Sequence, residues 1–341
     1  MKLENRDLIP LLSREYGHLG NIISVEPLQF SFHVNNQLFL IRTEDRKYIL
    51  KFNQALNDFY GIEDATVKLE AIGRSTGVLR KSGMNVEETI PSINGNYVSL
   101  LNQGSLRLFH FIEGREYSVT EDKADLERLI SFSKLLHSFP VSKLESEIPN
   151  IRIYLTAPYS LEETHKNKRF IQEKLEEEKG EQWRDVQENF ETVFEEVERL
   201  ILWNESHEKR ITHVDLHPRN VIIGFDSVLS AIDLDYLRIG NPFVCLGLTF
   251  TRTTFFGKSE RLAKDLENNL GFFESIYGAD SKPDFAKNLL YGALYIEAEK
   301  IFRNLYRYYK TGMYRNFAED VSKFHYQIFD IVRSIIKSKG Y

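Results

Sequence analysis

The segment from His213 to Asp235 reads HVDLHPRNVIIGFDSVLSAIDLD, and it limits the chain more than any other stretch. A polar loop carries His213, Asp215 and, five residues after that Asp, Asn220. It runs directly into the apolar triplet Val221-Ile222-Ile223. A turn at Gly224-Phe225-Asp226 follows, then a second apolar run ending at Ile232-Asp233. A loop followed by two short strands holds three oxygen-bearing side chains in a fixed order. Phosphoryl transfer needs that order: a group that takes a hydroxyl proton, then two oxygen ligands for a metal. Asp215 is the candidate catalytic base. Asn220 offers a neutral oxygen to magnesium and Asp233 an anionic one, a sparse set that suits an ion coordinated largely by phosphate. His213 braces the loop, and His217 holds Asp215 or backbone carbonyls. Asp235, two residues beyond Asp233, shares its face on an extended segment and is a candidate second ligand. The competing reading is that Asp, Asn, His and Pro here are turn residues only.

Composition excludes several classes. A net charge of −6 disfavours nucleic acid as the main partner. Cys245 is the single cysteine, so no disulfide framework or cysteine-built zinc site is expected. No secretory signal and no membrane-length apolar stretch is visible, so a cytoplasmic protein without a membrane partner is expected. The oligomeric state is not readable.

The chain changes character along its length. Leu38-Phe39-Leu40-Ile41 and Lys47 to Phe52 flank the polar turn Thr43 to Arg46 and read as a hairpin. Asn57 to Ser82 reads as a helix stopped by Gly83. Asn94-Gly95 marks a turn between Thr89-Ile90 and Tyr97 to Leu101. Beyond Tyr117 the pattern is helical: Asp125 to Phe139, a long charged stretch from Phe170 to Leu202 broken near Gly180, Ala286 to Tyr309, and Asn316 to Lys337. The fold class is therefore α+β, with a small β-rich lobe before a larger helical one. The expected divisions are residues 1–109, a hinge at 110–116, and 117–341.

HVDLHPRNVII followed by AIDLDYLRIGNP resembles the aminoglycoside phosphotransferase and choline kinase-like superfamily, which includes homoserine kinase type II-like members. Phe111-Ile112-Glu113-Gly114 and Ser133-Lys134-Leu135-Leu136-His137 are similar to that family's shorter signatures. The resemblance spans roughly residues 30 to 250. It implies a protein-kinase-like two-lobed fold and a kinase that uses ATP and Mg to phosphorylate a hydroxyl group of a small molecule. It gives Asp215 the role of base, and Asn220 and Asp233 those of magnesium ligands.

The resemblance also directs attention to a small-lobe lysine. Tyr48, Leu50 and Phe52 share one strand face and Lys51 lies on the other, where a lysine can reach the nucleotide phosphates. Its expected acidic partner is Glu70, with Glu63 as the alternative. Ser31 and Asn35 lie where a phosphate-covering loop is expected. Phe109 and Phe111 flank the hinge where an adenine would sit, and residues of this kind are commonly core. Tyr306 to Tyr309, with Glu297 and Arg303, are candidates for an acceptor pocket.

Four departures from the family pattern stand out. The loop from Ser31 to Gln37 has no glycine. Val214 replaces a usual glycine, and Arg219 stands where glycine or lysine is common, beside the metal site. Residues 242–246 lack the Asp that many relatives carry. A protein-kinase reading is disfavoured by the lack of Asp-Phe-Gly and Ala-Pro-Glu signatures. A kinase-fold binding protein without turnover is the non-enzymatic alternative. The acceptor's identity and the choice of ATP over GTP stay open.

Overall fold

The structure, a computed structural model, describes residues 5–28, 36–53, 62–101, 104–117, 123–156, 161–178, 181–255, 262–278, 284–311 and 315–341. In chain order the first elements are α1 (Asn5–Tyr16), β1 (Ile22–Leu28), β2 (Asn36–Thr43), β3 (Lys47–Asn53), α2 (Ile62–Lys81), β4 (Thr89–Ile90), β5 (Ser99–Leu101), β6 (Gly104–His110) and β7 (Arg115–Glu116). Then come α3 (Lys123–Ser138), α4 (Val141–Glu147), α5 (Ile151–Leu155), α6 (Leu161–Glu177), α7 (Glu181–Ser206), β8 (Arg210–His213), β9 (Val221–Ile223), β10 (Leu229–Ala231) and β11 (Leu237–Gly240). The chain closes with α8 (Pro242–Phe255), α9 (Leu262–Tyr277), α10 (Phe285–Thr311) and α11 (Arg315–Ser338). It is an α+β fold with a small antiparallel sheet and a larger helical part.

Two compact units result. The first holds residues 1–115, 142–155 and 222–235, and the second holds 116–141, 156–221 and 236–341.

In the first unit the sheet runs β1-β2-β3-β6-β4, and β5 also pairs with β6. Alternation along β3 turns Tyr48, Leu50 and Phe52 into a core shared with Phe39, Ile41, Leu106 and Leu108. Leu8, Leu12 and Tyr16, each four residues apart, put one face of α1 into the same core. Fully burying side chains of this size contributes roughly 1.5–3 kcal/mol each. The β2–β3 hairpin closes as its sequence predicts, with Thr43 N–H donating to Arg46 O at 2.9 Å. Helix α2 ends where Gly83 takes φ +86°, and Met84 N–H reaches back to Leu79 O at 3.1 Å. Asn94-Gly95 does form a turn, with Gly95 at φ +80°. The strands on either side do not pair with each other, because each pairs with β6 instead.

In the second unit, helices surround the two-stranded pair β8–β11, in which Leu237 lies opposite His213. The long charged stretch is two helices, α6 and α7. Helix α8 begins at Pro242, and Asn241 Oδ1 caps it by accepting Phe243 N–H at 3.0 Å. Helices α8 and α10 touch backbone to backbone. A Cβ on Gly292 would fall 1.9 Å from Phe243 O, and one on Gly247 would fall 2.2 Å from Ala293 N. Among the described residues no helix is long and apolar enough to cross a membrane.

Candidate active site

In the first unit the site is built on β3, β6 and the segment that follows β10. The backbone of residues 85–87 runs beside β10: Ala231 N–H donates to Asn85 O at 3.0 Å and Glu87 N–H to Ala231 O at 2.8 Å. Just beyond, Asp233 adopts φ +58°, a left-handed conformation that Asp tolerates better than most residues. A short 3-10 turn, Leu234–Tyr236, follows.

Lys51 is buried, and its ammonium donates to Asp233 Oδ1 at 2.5 Å and to Asp235 Oδ2 at 2.7 Å. Arg107 on β6 is also buried and grips both oxygens of the same Asp235, at 2.5 and 2.7 Å. Burial alone would lower the Lys51 and Arg107 pKa values, but the two aspartates reverse this and hold both above their ordinary range. Burial likewise opposes the Asp235 charge, yet Arg107 and Lys51 keep its carboxyl well below the usual carboxylate range.

This arrangement corrects two expectations. Lys51 pairs with the aspartates and not with Glu70. Glu70 Oε1 instead accepts the Val98 N–H at 2.7 Å and so ties that segment to α2. The side chain of Glu63 lies outside the described residues. Asp235, expected as a candidate second metal ligand, is engaged by cations: Arg107 donates to both its oxygens and Lys51 to Oδ2. Asp233 keeps one oxygen, Oδ2, that Lys51 does not bind.

Three further expectations concern the nucleotide. Ser31 and Asn35 lie outside the described residues. Phe109 is buried, with the Arg107 guanidinium 5.5 Å from its ring centroid, and serves as core. Phe111 is half-buried. Its N–H donates to Lys47 O at 3.3 Å, and the Lys47 ammonium lies 5.2 Å from its ring centroid.

Glu87 went unnoticed in the sequence. It is buried, and its Oε1 accepts the Leu234 N–H at 2.8 Å, which fixes the turn after Asp233. Burial, with Asp233 adding to it, raises its pKa to about 7.

In the second unit the site is the loop after β8. His213 is fully buried, and its Nδ1 accepts the Asp215 N–H at 3.3 Å. The loop rests on α8: Cys245 Sγ donates to His213 O at 3.1 Å, and Thr249 Oγ1 donates to Leu216 O at 2.8 Å. Cys245 thus fills part of the region where an Asp is missing. Val214 is buried and its N–H donates to Tyr236 O at 3.3 Å, so the position accommodates a side chain. His217 caps the 3-10 turn Pro218–Asn220 by accepting the Arg219 N–H at 3.2 Å, and its Nε2 lies 3.6 Å from Asp215 Oδ2. Arg219 is exposed.

Asn220 Nδ2 donates to Asp215 O at 2.8 Å and to Asp215 Oδ2 at 3.2 Å. Its amide N–H groups are therefore committed to the loop, which orients the carbonyl Oδ1 as the atom left for a cation. A lysine from α10 completes this group. Lys300 Nζ donates to Asp215 Oδ1 at 2.8 Å. Burial would raise the Asp215 pKa, but Lys300 and then His217 hold it well below the ordinary value. Sequence reading did not single out Lys300, which sits inside the helical pattern of Ala286 to Tyr309 with no motif around it.

The expected acceptor-pocket residues divide. Glu297 is fully buried and sealed by Thr251, Arg252 and His325. Arg303 lines a small cavity of about 50 Å³ together with Tyr295, Glu299, Phe302 and Tyr306. Tyr308 stacks on Trp183 with ring centroids 5.6 Å apart and is packing.

Asp233 Oδ2 in the first unit and Asn220 Oδ1 in the second are each hard oxygen donors of the kind that magnesium takes alongside phosphate and water. Among the described residues no cluster of three or more His, Cys, Asp or Glu forms a closed metal site.

The family model described as "Phosphotransferase enzyme family" matches residues 28–279. No curated protein matches the sequence. Among solved structures, a spectinomycin phosphotransferase in complex with ADP and spectinomycin is similar at TM-score 0.63 and 16% identity, over 98% of each chain. A choline kinase from Streptococcus pneumoniae is similar at TM-score 0.61 and 16% identity, over 95% of this chain and 98% of its own. An ethanolamine kinase from Plasmodium vivax is similar at TM-score 0.62 and 16% identity, over 94% of this chain and 86% of its own. These likenesses establish a shared kinase-like fold.

Proposed function

Since the chain belongs to the phosphotransferase enzyme family, we propose that it transfers the γ-phosphoryl group of ATP to a hydroxyl group of a small molecule. The observation that carries this reading is the Asp215 loop. Its carboxylate is ionised, held by Asn220 and Lys300, and braced from beneath by His213. Such a carboxylate orients a hydroxyl for in-line attack and takes its proton late. The structural neighbours support the reading through their named ligands and acceptors: ADP with spectinomycin, choline, and ethanolamine.

Each side chain has a role. Lys51 is the candidate clamp on the α- and β-phosphates, and Asp233 and Asp235 keep it charged. Asn220 Oδ1 and Asp233 Oδ2 are the candidate magnesium ligands. Glu87 fixes the backbone that presents Asp233. Magnesium, when bound, neutralises phosphate charge, and the protein's part is to position and to accept the proton. Phe111 and the backbone around it are the candidate adenine contacts.

A panel of hydroxyl metabolites assayed for ADP release tests the reading. Release stimulated by at least one alcohol, and lost in Asp215→Asn, is the expected result. Nucleotide binding with no stimulation by any alcohol would favour a kinase-fold binding protein instead.

A further inference from the structure

Lys300 occupies one oxygen of the carboxylate that the proposed function assigns to the acceptor hydroxyl. Helix α10 packs closely on α8 at Gly292 and Gly247, and Lys300 lies eight residues beyond Gly292. Its side chain is only 12% exposed.

Two cations bear on it: Arg252 on α8 and Arg303, three residues further along α10. Each carboxylate nearby is already flanked by cations. Glu297 accepts from Arg252 Nη2 at 3.1 Å and from Thr251 Oγ1 at 2.9 Å, with His325 at 2.5 Å. Glu299 has Arg238 at 3.5 Å and Arg303 at 4.0 Å. Each of these carboxylates, and Asp215, thus already has a cation within 4.0 Å. Burial, only partly countered by Asp215 and reinforced by Arg303 and Arg252, lowers the Lys300 pKa from its ordinary value.

An alcohol that reaches Asp215 must therefore displace or share Lys300. An ammonium on that alcohol would meet a like charge in a poorly solvated place. A carboxylate or phosphate would instead receive the lysine's N–H groups in charge-assisted hydrogen bonds. We propose that Lys300 is an acceptor-binding residue that selects alcohols carrying an anionic group, passing from Asp215 to that anion as the hydroxyl docks. This rests on the reading of Asp215 as the hydroxyl-side base.

Calorimetric titration of the full chain, loaded with magnesium and a non-hydrolysable ATP analogue, tests it with two size-matched sets. One set is glucuronate, glucose and glucosamine; the other is glycerate, glycerol and 2-aminopropane-1,3-diol. In at least one set the acid is expected to bind at least ten-fold more tightly than the neutral alcohol, and the amine most weakly. Lys300→Met removes that preference, and Lys300→Glu turns it toward the amine, each with a far-ultraviolet spectrum like that of the parent. Equal binding of acid, neutral and amine in both sets, or no binding by any of them, overturns the proposal. So does an acid preference that survives in Lys300→Met. Binding of the ATP analogue is measured first. Its failure in the parent protein removes the phosphotransfer reading itself, whereas analogue binding without acid preference removes only the role of Lys300.

Discussion

Lys51 and Arg107 stand directly opposite each other across the β3–β6 register, and both donate to Asp235. Like charges facing each other in a sheet repel unless an anion lies between them. Asp235 is that anion, with Asp233 adding a second contact to Lys51. Asp235 thus serves the sheet, joining β3 to β6 through Lys51 and Arg107.

Removing the shared anion is therefore costly. Asp235→Ala leaves two buried cations facing each other, and loss of one partner of a buried ion pair costs about 3–5 kcal/mol. Urea denaturation will show that loss. The double variant Asp235→Ala with Arg107→Met recovers part of it, since the one cation left, Lys51, still has Asp233. Single and double variants of equal stability would contradict the arrangement.

The proposed nucleotide site uses the same group through different atoms. Asp233→Asn keeps a residue that tolerates the left-handed backbone at φ +58° but removes the charge. The magnesium concentration for half-maximal ATP binding should rise ten-fold or more, which corresponds to about 1.4 kcal/mol. Lys51→Met should weaken ATP itself by a similar factor. Titrations of both variants against the parent, followed by tryptophan fluorescence or calorimetry, check this. A magnesium requirement unchanged in Asp233→Asn would remove Asp233 as a ligand.

Acid should destabilise the helical unit in two steps. Burial lowers the His325 pKa to about 4, against an ordinary 6.5. The unfolded chain therefore takes up a proton near pH 6.5 that the folded chain refuses until about pH 4, and stability falls as pH drops through that window. Glu297 is opposed by burial but held at about 2 by Arg252 and His325, so its contribution is present above 4.5 and lost as pH falls from 4.5 toward 2. His325→Gln should flatten the upper step, a change on the order of 3 kcal/mol between pH 7 and 4. Thermal unfolding from pH 4 to 8 measures it, and an identical pH profile in the variant would contradict the assignment.

Gly292→Ala places a methyl group 1.9 Å from Phe243 O, which is backbone and cannot rotate away. Overpacking of this kind costs typically 1–3 kcal/mol or more. Gly271→Ala, on α9 where nothing lies within 4 Å of the added atom, is the control and should be neutral or slightly stabilising. Melting temperatures of the two variants compare them directly.

What the sequence revealed follows from how local each signal is. Asp215, Asn220 and Asp233 are separated by fixed numbers of residues in one loop and two short strands, so their order alone carries chemistry. The β2–β3 hairpin and Gly83 were legible because turn and cap preferences are local. Lys51 was placed on the correct strand face by alternation. Its partner was not readable, because Asp235 reaches it from 184 positions away and Glu70 had an equally acidic but different task. Arg107 needed the strand register to be noticed, and Lys300 needed the helix packing set by two glycines. Helix α1 was hidden because, among its described side chains, the fully buried apolar positions are three, Leu8, Leu12 and Tyr16.

The most direct measurement of the central claim is transfer of label from γ-labelled ATP to an alcohol, in the parent protein and in Asp215→Asn, with ATP affinity measured in both. The account predicts a labelled phosphate ester with the parent protein and magnesium. In Asp215→Asn transfer should fall by about 10²–10⁴-fold, as expected for loss of a general base, with ATP affinity unchanged. Equal transfer by parent and variant would contradict it.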